Sequence, residues 1–128
     1  ATLWGTLVSV ALGGALGAKL RYLAGVGLFR LLGPSNFPVA ILSVNVLGSF
    51  LMGLFVVLAA HRGLTHLSPF VMTGLLGGFT TFSAFSLEAV TLYERGDVTQ
   101  AALYVALSVC LSIAGLIAGL WLARGLLT

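Results

Sequence analysis

The sequence predicts an all-α membrane protein built from four transmembrane helices, and three observations predict it. Hydrophobic residues occupy 59% of the 128 positions and charged residues only 7%, a balance foreign to soluble domains. The apolar residues fall into four segments, from about Leu3 to Leu32, Val39 to Ala60, Phe70 to Leu92 and Ala101 to Leu122. Each suits the roughly 20 residues that a membrane-spanning helix needs. Between the segments stand short linkers rich in turn residues: Gly33-Pro34-Ser35-Asn36, His61-Arg62-Gly63 and Glu94-Arg95-Gly96-Asp97. Residues 1–128 are therefore expected to form a single integral membrane domain surrounded by lipid.

The amino end lacks the basic flank and small-residue cleavage pattern of a signal peptide, so the first segment is expected to be retained. Cys110 is the sole cysteine and lies within a segment, which excludes an intrachain disulfide and argues against a metal cluster. The net charge of +3 comes from few residues. It gives no reason to expect nucleic acid, because basic residues of membrane proteins concentrate in their loops.

Charge placement bears on assembly. The amino terminus, the second loop and the carboxyl terminus share one side of the membrane and carry Arg62 and Arg124. The opposite side carries Arg30 and Arg95. With Lys19 and Arg21 inside the first segment set aside, the tally is tied, so the positive-inside rule has nothing to act on. A chain that inserts in both orientations points to an antiparallel assembly. Four short helices hardly enclose a permeation path alone, so transport would require an oligomer, and a two-fold dimer is the commonest one.

In segment one, Gly13, Gly17, Arg21 and Gly25 recur every four residues and share a helical face. Small residues at this spacing let helices approach closely. Arg21 interrupts the ridge, and two roles fit it: a structural guanidinium on backbone carbonyls, or a functional charge in a water-filled vestibule. Lys19 lies about 200° around the helix from Arg21 and is expected to point away, snorkelling or meeting a vestibule.

Segment two carries Asn45, then Gly48, Ser49 and Gly53. A lone carboxamide in so apolar a run needs a partner. A helix–helix hydrogen bond satisfies it, and so does a place beside a conduction path.

Segment three holds the densest signal, GGFTTFSAFSLE at Gly77–Glu88. Paired glycines weaken a helix. Irregular backbone at membrane depth is tolerated only where protein or a wet cavity surrounds it. Phe79, Phe82 and Phe85 recur every three residues and are expected to share a face, for packing or for presenting positive ring edges to a small anion. Thr80, Ser83 and Ser86 run beside them and offer part of a replacement hydration shell; conduction needs several weak sites of this kind. Glu88 is the one carboxylate inside an apolar segment, either at a wet helix end or as a proton site.

Segment four aligns Tyr104, Ser108 and Ser112 on one ridge, with Gly115 and Gly119 continuing it as a close-packing pair.

Together these motifs resemble the Fluc/CrcB family of small fluoride channels over essentially the whole chain. GGALGAKLRY at Gly13–Tyr22, NVLGSFLMG at Asn45–Gly53, GGFTTFSAFSLE and the Tyr104, Ser108, Ser112 ridge carry the resemblance, and the third motif is the most specific. The resemblance implies an antiparallel, dual-topology homodimer in the inner membrane, with two pores that pass fluoride, exclude chloride and catalyse no reaction. It implies a third helix broken near the membrane centre at Gly77–Thr80. There the main-chain carbonyls of Gly77 and Thr80 from both copies would hold a structural sodium ion. Phe82 and Phe85 match the pore phenylalanines, Asn45 the pore asparagine, and Ser83, Tyr104, Ser108 and Ser112 polar positions beside the pore. Arg21 matches a first-helix arginine and Glu88 an acidic residue at the far pore end; Lys19 would sit near an entrance and raise local anion concentration. Members commonly carry threonine where this chain has Ala84, a departure that bears on throughput.

Two other readings compete with a passive anion channel. A small dual-topology, proton-coupled exporter of cationic drugs would use Glu88 as a shared site for proton and substrate. A non-transporting assembly subunit would account for the glycine ridges by packing alone.

Overall fold

The computed structural model describes residues 2–34 and 37–127. Of the linker residues singled out above, Ser35 and Asn36 lie outside that range. Helix α1 spans Leu3–Leu32, α2 Val39–Arg62 and α5 Val98–Leu127. The third span, residues 65–94, is composite. It opens with a 3₁₀ turn, Thr65–Leu67, continues as a π-helical stretch, Pro69–Leu76, and passes into α3, Gly77–Phe79. After an interruption at residues 80–82 it resumes as α4, Ser83–Glu94. All four spans are long and apolar enough to cross a bilayer, which makes this a multi-pass membrane protein.

The observed spans outrun the hydrophobic segments. Helix α5 begins three residues before Ala101 and continues past Leu122 to Leu127, α2 reaches Arg62, and the third span starts at Thr65. Hydropathy marks where the hydrocarbon begins, whereas backbone hydrogen bonding carries a helix on into the headgroup region. Local chemistry sets the true ends. Thr2 caps α1, its Oγ1 accepting from the Gly5 N–H at 3.0 Å. Gly63, in the left-handed region at φ 68°, closes α2 through its N–H to the Ala59 carbonyl. Trp4 and Trp121 are both exposed near chain ends on one side of the bundle, where amphipathic rings suit a membrane interface.

Two seams hold the bundle together. Helix α1 packs on the π-helical stretch and α3, and α2 packs on α5. In the first seam a Cβ at Gly17 would collide with the Leu75 carbonyl, and one at Gly78 would stand 2.7 Å from the Gly14 oxygen. In the second, a Cβ at Gly53 would meet the Leu116 carbonyl and one at Gly119 the Phe50 carbonyl. Both seams therefore bring backbone against backbone, a contact that supplies dispersion energy where lipid removes any hydrophobic drive between helices. The ridge read from segment one is only half used. Gly13 and Gly17 are buried in the seam, Arg21 is half-buried, and among the described residues nothing beyond the neighbouring helix backbone comes within 4 Å of a Cβ at Gly25.

Side-chain packing of the ordinary kind concentrates elsewhere, around Phe85, Leu92, Ala101 and Tyr104, with Phe37, Ile41, Leu42 and Ala89 against them. This cluster braces α4 on α5 and on the start of α2.

Candidate functional site

The interruption of the third span is the point from which the site is built. Thr80 is extended, at φ −85° and ψ 159°, while its N–H and its Oγ1 both donate to the Leu76 carbonyl at 2.9 Å. The next residue leaves the helical ladder entirely. The Thr81 N–H donates to Asn45 Oδ1 at 2.8 Å, and Asn45 Nδ2 donates to the Thr81 carbonyl at 2.9 Å. Because a backbone N–H can only donate and a carbonyl only accept, these two bonds also fix which end of the Asn45 amide is which. The Thr81 side chain then starts the second half: its Oγ1 accepts from the Ala84 N–H at 3.2 Å and lies 3.3 Å from Ser83 Oγ.

This pattern releases two carbonyls. In an unbroken helix Gly77 O would accept from Thr81 N–H, and Thr80 O from Ala84 N–H. Here Asn45 and the Thr81 hydroxyl hold those donors instead. Gly77 and Thr80 both line the groove described next, so two oxygen ligands of the kind a hard cation takes stand at the end of the first half-helix. No cluster of three or more His, Cys, Asp or Glu side chains offers another metal site among the described residues.

The groove, of about 500 Å³, runs along the faces of α2, α5 and the interruption. Asn45, Gly48 and Ser49 line it from α2, Phe82 and Phe85 from the third span, and Ser108 and Ser112 from α5. No acidic or basic side chain lines it. Phe85 is 9% exposed and tilted against both Phe82, at 5.3 Å between centroids, and Tyr104, at 5.2 Å. Phe37 meets Tyr104 edge-on, with 5.6 Å between centroids. Phe82, by contrast, is 77% exposed in the single chain.

Two hydroxyls beside these rings are unusual. Tyr104 Oη and Ser108 Oγ are buried, the residues 0% and 6% exposed, with no hydrogen-bond partner among the described residues. A buried unpaired hydroxyl is destabilising, so such groups mark places where something outside the chain completes the bonding. The other hydroxyls behave differently: Thr80, Ser86 and Thr91 donate to their own backbone four residues earlier.

Several expectations are corrected by this geometry. The interruption lies at residues 80–82, not across Gly77–Thr80; Gly77–Phe79 is still helical. Gly78 serves the seam with α1, whereas a Cβ at Gly77 would meet only the Met72 carbonyl of its own span at 3.4 Å, so one glycine of the pair marks close packing. Phe79 does not share a face with Phe82 and Phe85. It is buried against Gly48, because the extended Thr80 turns the chain between them.

Of the residues singled out from sequence, the structure brings Asn45, Gly77, Thr80, Phe82, Phe85, Ser108 and Ser112 to one groove, with Tyr104 behind Phe85. Ser83, Lys19, Arg21 and Glu88 do not line it. Lys19 is exposed, on the side of α1 away from its seam, as its helical offset predicts. Arg21 instead lines a second groove of about 560 Å³ with Tyr22, Phe29 and Arg30. The residue that sequence reading missed is Thr81, the hub of the interruption. A hydroxyl just ahead of a resumed helix is a capping signal that was available to find it.

The family model described as CrcB-like protein, Camphor Resistance (CrcB), matches residues 8–120. A protein named fluoride-specific ion channel FluC from Roseobacter denitrificans is 73% identical over 121 residues, covering 94% of this chain and 96% of its own. One of the same name from Ruegeria sp. is 72% identical over 96% of this chain and 98% of its own. Another from Paracoccus denitrificans is 54% identical over 94% and 96%.

Proposed function

The chain belongs to the CrcB family, and from that premise we propose that it is a fluoride-selective passive channel of the bacterial inner membrane, exporting fluoride from the cytoplasm. The observation that carries this reading is the groove itself. Two phenylalanines and the buried Ser108 hydroxyl, which has no partner among the described residues, line it without a charged side chain beside them, and the equally unpartnered Tyr104 hydroxyl belongs to the ring packed behind Phe85. A small, tightly hydrated anion needs donors to replace its water. The Tyr104 and Ser108 hydroxyls and the positive edges of Phe82 and Phe85 are such donors. The absence of a cation from the lining keeps binding weak enough for the ion to leave.

We further propose an antiparallel homodimer with two pores. The tied loop charges permit both insertions, and the open groove with its exposed Phe82 needs a second surface to become a conduit. The released carbonyls of Gly77 and Thr80 fit a structural sodium ion shared between the two copies. When bound, that ion would supply one fixed positive charge that ties the two broken helices together. In this reading Ser112 continues the donor row beyond Ser108, Asn45 adds a carboxamide to the wall, and Ser83 stands at the start of α4. Lys19, Arg21 and Glu88 belong to the approaches. Glu88 lies outside the groove, so a proton-coupled exporter lacks a carboxylate where its shared site would have to be.

Reconstitution into potassium fluoride-loaded liposomes tests the proposal. Opening a potassium path should trigger fast fluoride efflux at an external electrode, and the same preparation loaded with chloride should stay silent. Chloride efflux at a comparable rate, or fluoride efflux only under a proton gradient, would sink it.

A further inference from the structure

We infer that Asn45 is a positioning residue that holds the third helix open, acting through the backbone of Thr81. Two hydrogen bonds define Thr81 in a continuous helix: its N–H to the Gly77 carbonyl, and its own carbonyl from the Phe85 N–H. Neither forms here. The Asn45 carboxamide, 36 residues away on α2, supplies the acceptor at 2.8 Å and the donor at 2.9 Å in their place.

A carboxamide carries a neutral donor and acceptor side by side whatever the pH, the same pair that a peptide group presents. A hydroxyl offers one reliable bond in this geometry, and an ionised carboxylate would set oxygen against the Thr81 carbonyl. A second feature of α2 supports the assignment independently. Gly48, one turn beyond Asn45, leaves a hollow that Thr80 fills, since a Cβ there would overlap Thr80 Cγ2. The same helix thus accommodates Thr80 and grips Thr81. No charged side chain lines the groove to compete for the amide.

The consequence reaches the proposed ion sites. By taking the Thr81 N–H, Asn45 leaves the Gly77 carbonyl without its helical donor; by fixing Thr81, it aligns the hydroxyl that draws Ala84 N–H away from Thr80 O. It also leaves only one of its own N–H groups for an anion. The functional half of this inference rests on the channel reading; the structural half does not.

Solid-state NMR of the full chain in bilayers separates the two. Wild-type protein should show a through-space contact between Asn45 ¹⁵Nδ2 and the Thr81 carbonyl ¹³C. In Asn45→Leu, Thr81 shifts should move toward helical values while those of Gly53 and Gly119 stay, and fluoride efflux should fall about tenfold or more, as loss of buried bonds of this kind entails. A missing wild-type contact overturns the inference. So does an efflux loss with Thr81 shifts unchanged, which would assign Asn45 to ion contact alone. Should Asn45→Leu fail to assemble, the wild-type contact decides by itself. Should wild-type protein conduct no fluoride, the channel reading falls while the contact still judges the clamp.

Discussion

The two halves of the third span are built on opposite principles, although they are continuous in sequence. Before the interruption, the π-helical stretch and α3 lie against α1 through glycines, with main chain touching main chain. After it, α4 lies against α5 through aromatic rings, with Phe85 tilted against Tyr104 and two hydroxyls without partners among the described residues. The first half has no room for an added atom at Gly74 or Gly78, where it meets α1. The second gives up some stability to keep unmet donors, the arrangement expected of a binding surface. A rigid backbone seam therefore frames a more adaptable side-chain wall, and the interruption joins the two.

Substitutions can break this contrast at known points. The largest effect should come from Gly17→Val, because the added side chain meets the Leu75 carbonyl and Phe79 N with nowhere to move. Overpacking of this kind costs about 1–3 kcal/mol or more. Thermal denaturation in detergent should show a markedly lowered midpoint, and an unchanged midpoint would mean that the seam is not rigid.

Next in size is Phe85→Ile, on the side-chain wall. Fluoride efflux should drop about tenfold, the scale of roughly 1.4 kcal/mol in the barrier, while size-exclusion chromatography shows the assembly intact. Phe82→Ile should also reduce efflux, with less effect on stability because Phe82 is exposed in the single chain. Normal flux in both variants would remove the ring edges from the proposed pathway.

Ser108→Ala sharpens the comparison in the other direction. Removing a buried hydroxyl that has no partner among the described residues should leave stability equal or raise it by up to about 1 kcal/mol, while efflux falls. A clear loss of stability would show that Ser108 already has a structural bond. The smallest effect belongs to Gly25→Ala. Among the described residues nothing beyond the neighbouring helix backbone lies within 4 Å of a Cβ there, so the helix should gain slightly, by about 0.5–1 kcal/mol, without altered efflux. If Gly25→Ala instead disrupted assembly, the Gly13 ridge would extend further than the seam.

Much of this molecule was legible in the residues themselves. Four spans follow from hydropathy, because the bilayer imposes a length that composition alone can meet. The small-residue spacing at Gly13 and Gly17, and at Gly115 and Gly119, names the packing faces, since helical periodicity is local. The outward direction of Lys19 follows from the same arithmetic. The resemblance carried by Gly77–Glu88 adds the candidate pore residues, most of which meet at one groove.

Where the helix stops was not legible. The sequence shows two glycines and two threonines in a row and cannot rank them, since each disfavours an uninterrupted helix. The fold ranks them: α1 claims Gly78 for its seam, while Asn45, far off in the chain, claims Thr81. With that one turn displaced, Phe79 goes into the packing and Phe82 stays at the groove, so a three-residue stripe does not survive as a face. The sequence by itself determined the spans, their packing faces and the chemistry on offer, because those depend on neighbours within a few residues. Tertiary structure alone decided the register of the interruption and the pairing of each hydroxyl, because hydrogen bonds between helices compete with those inside them and the sequence does not show which will win.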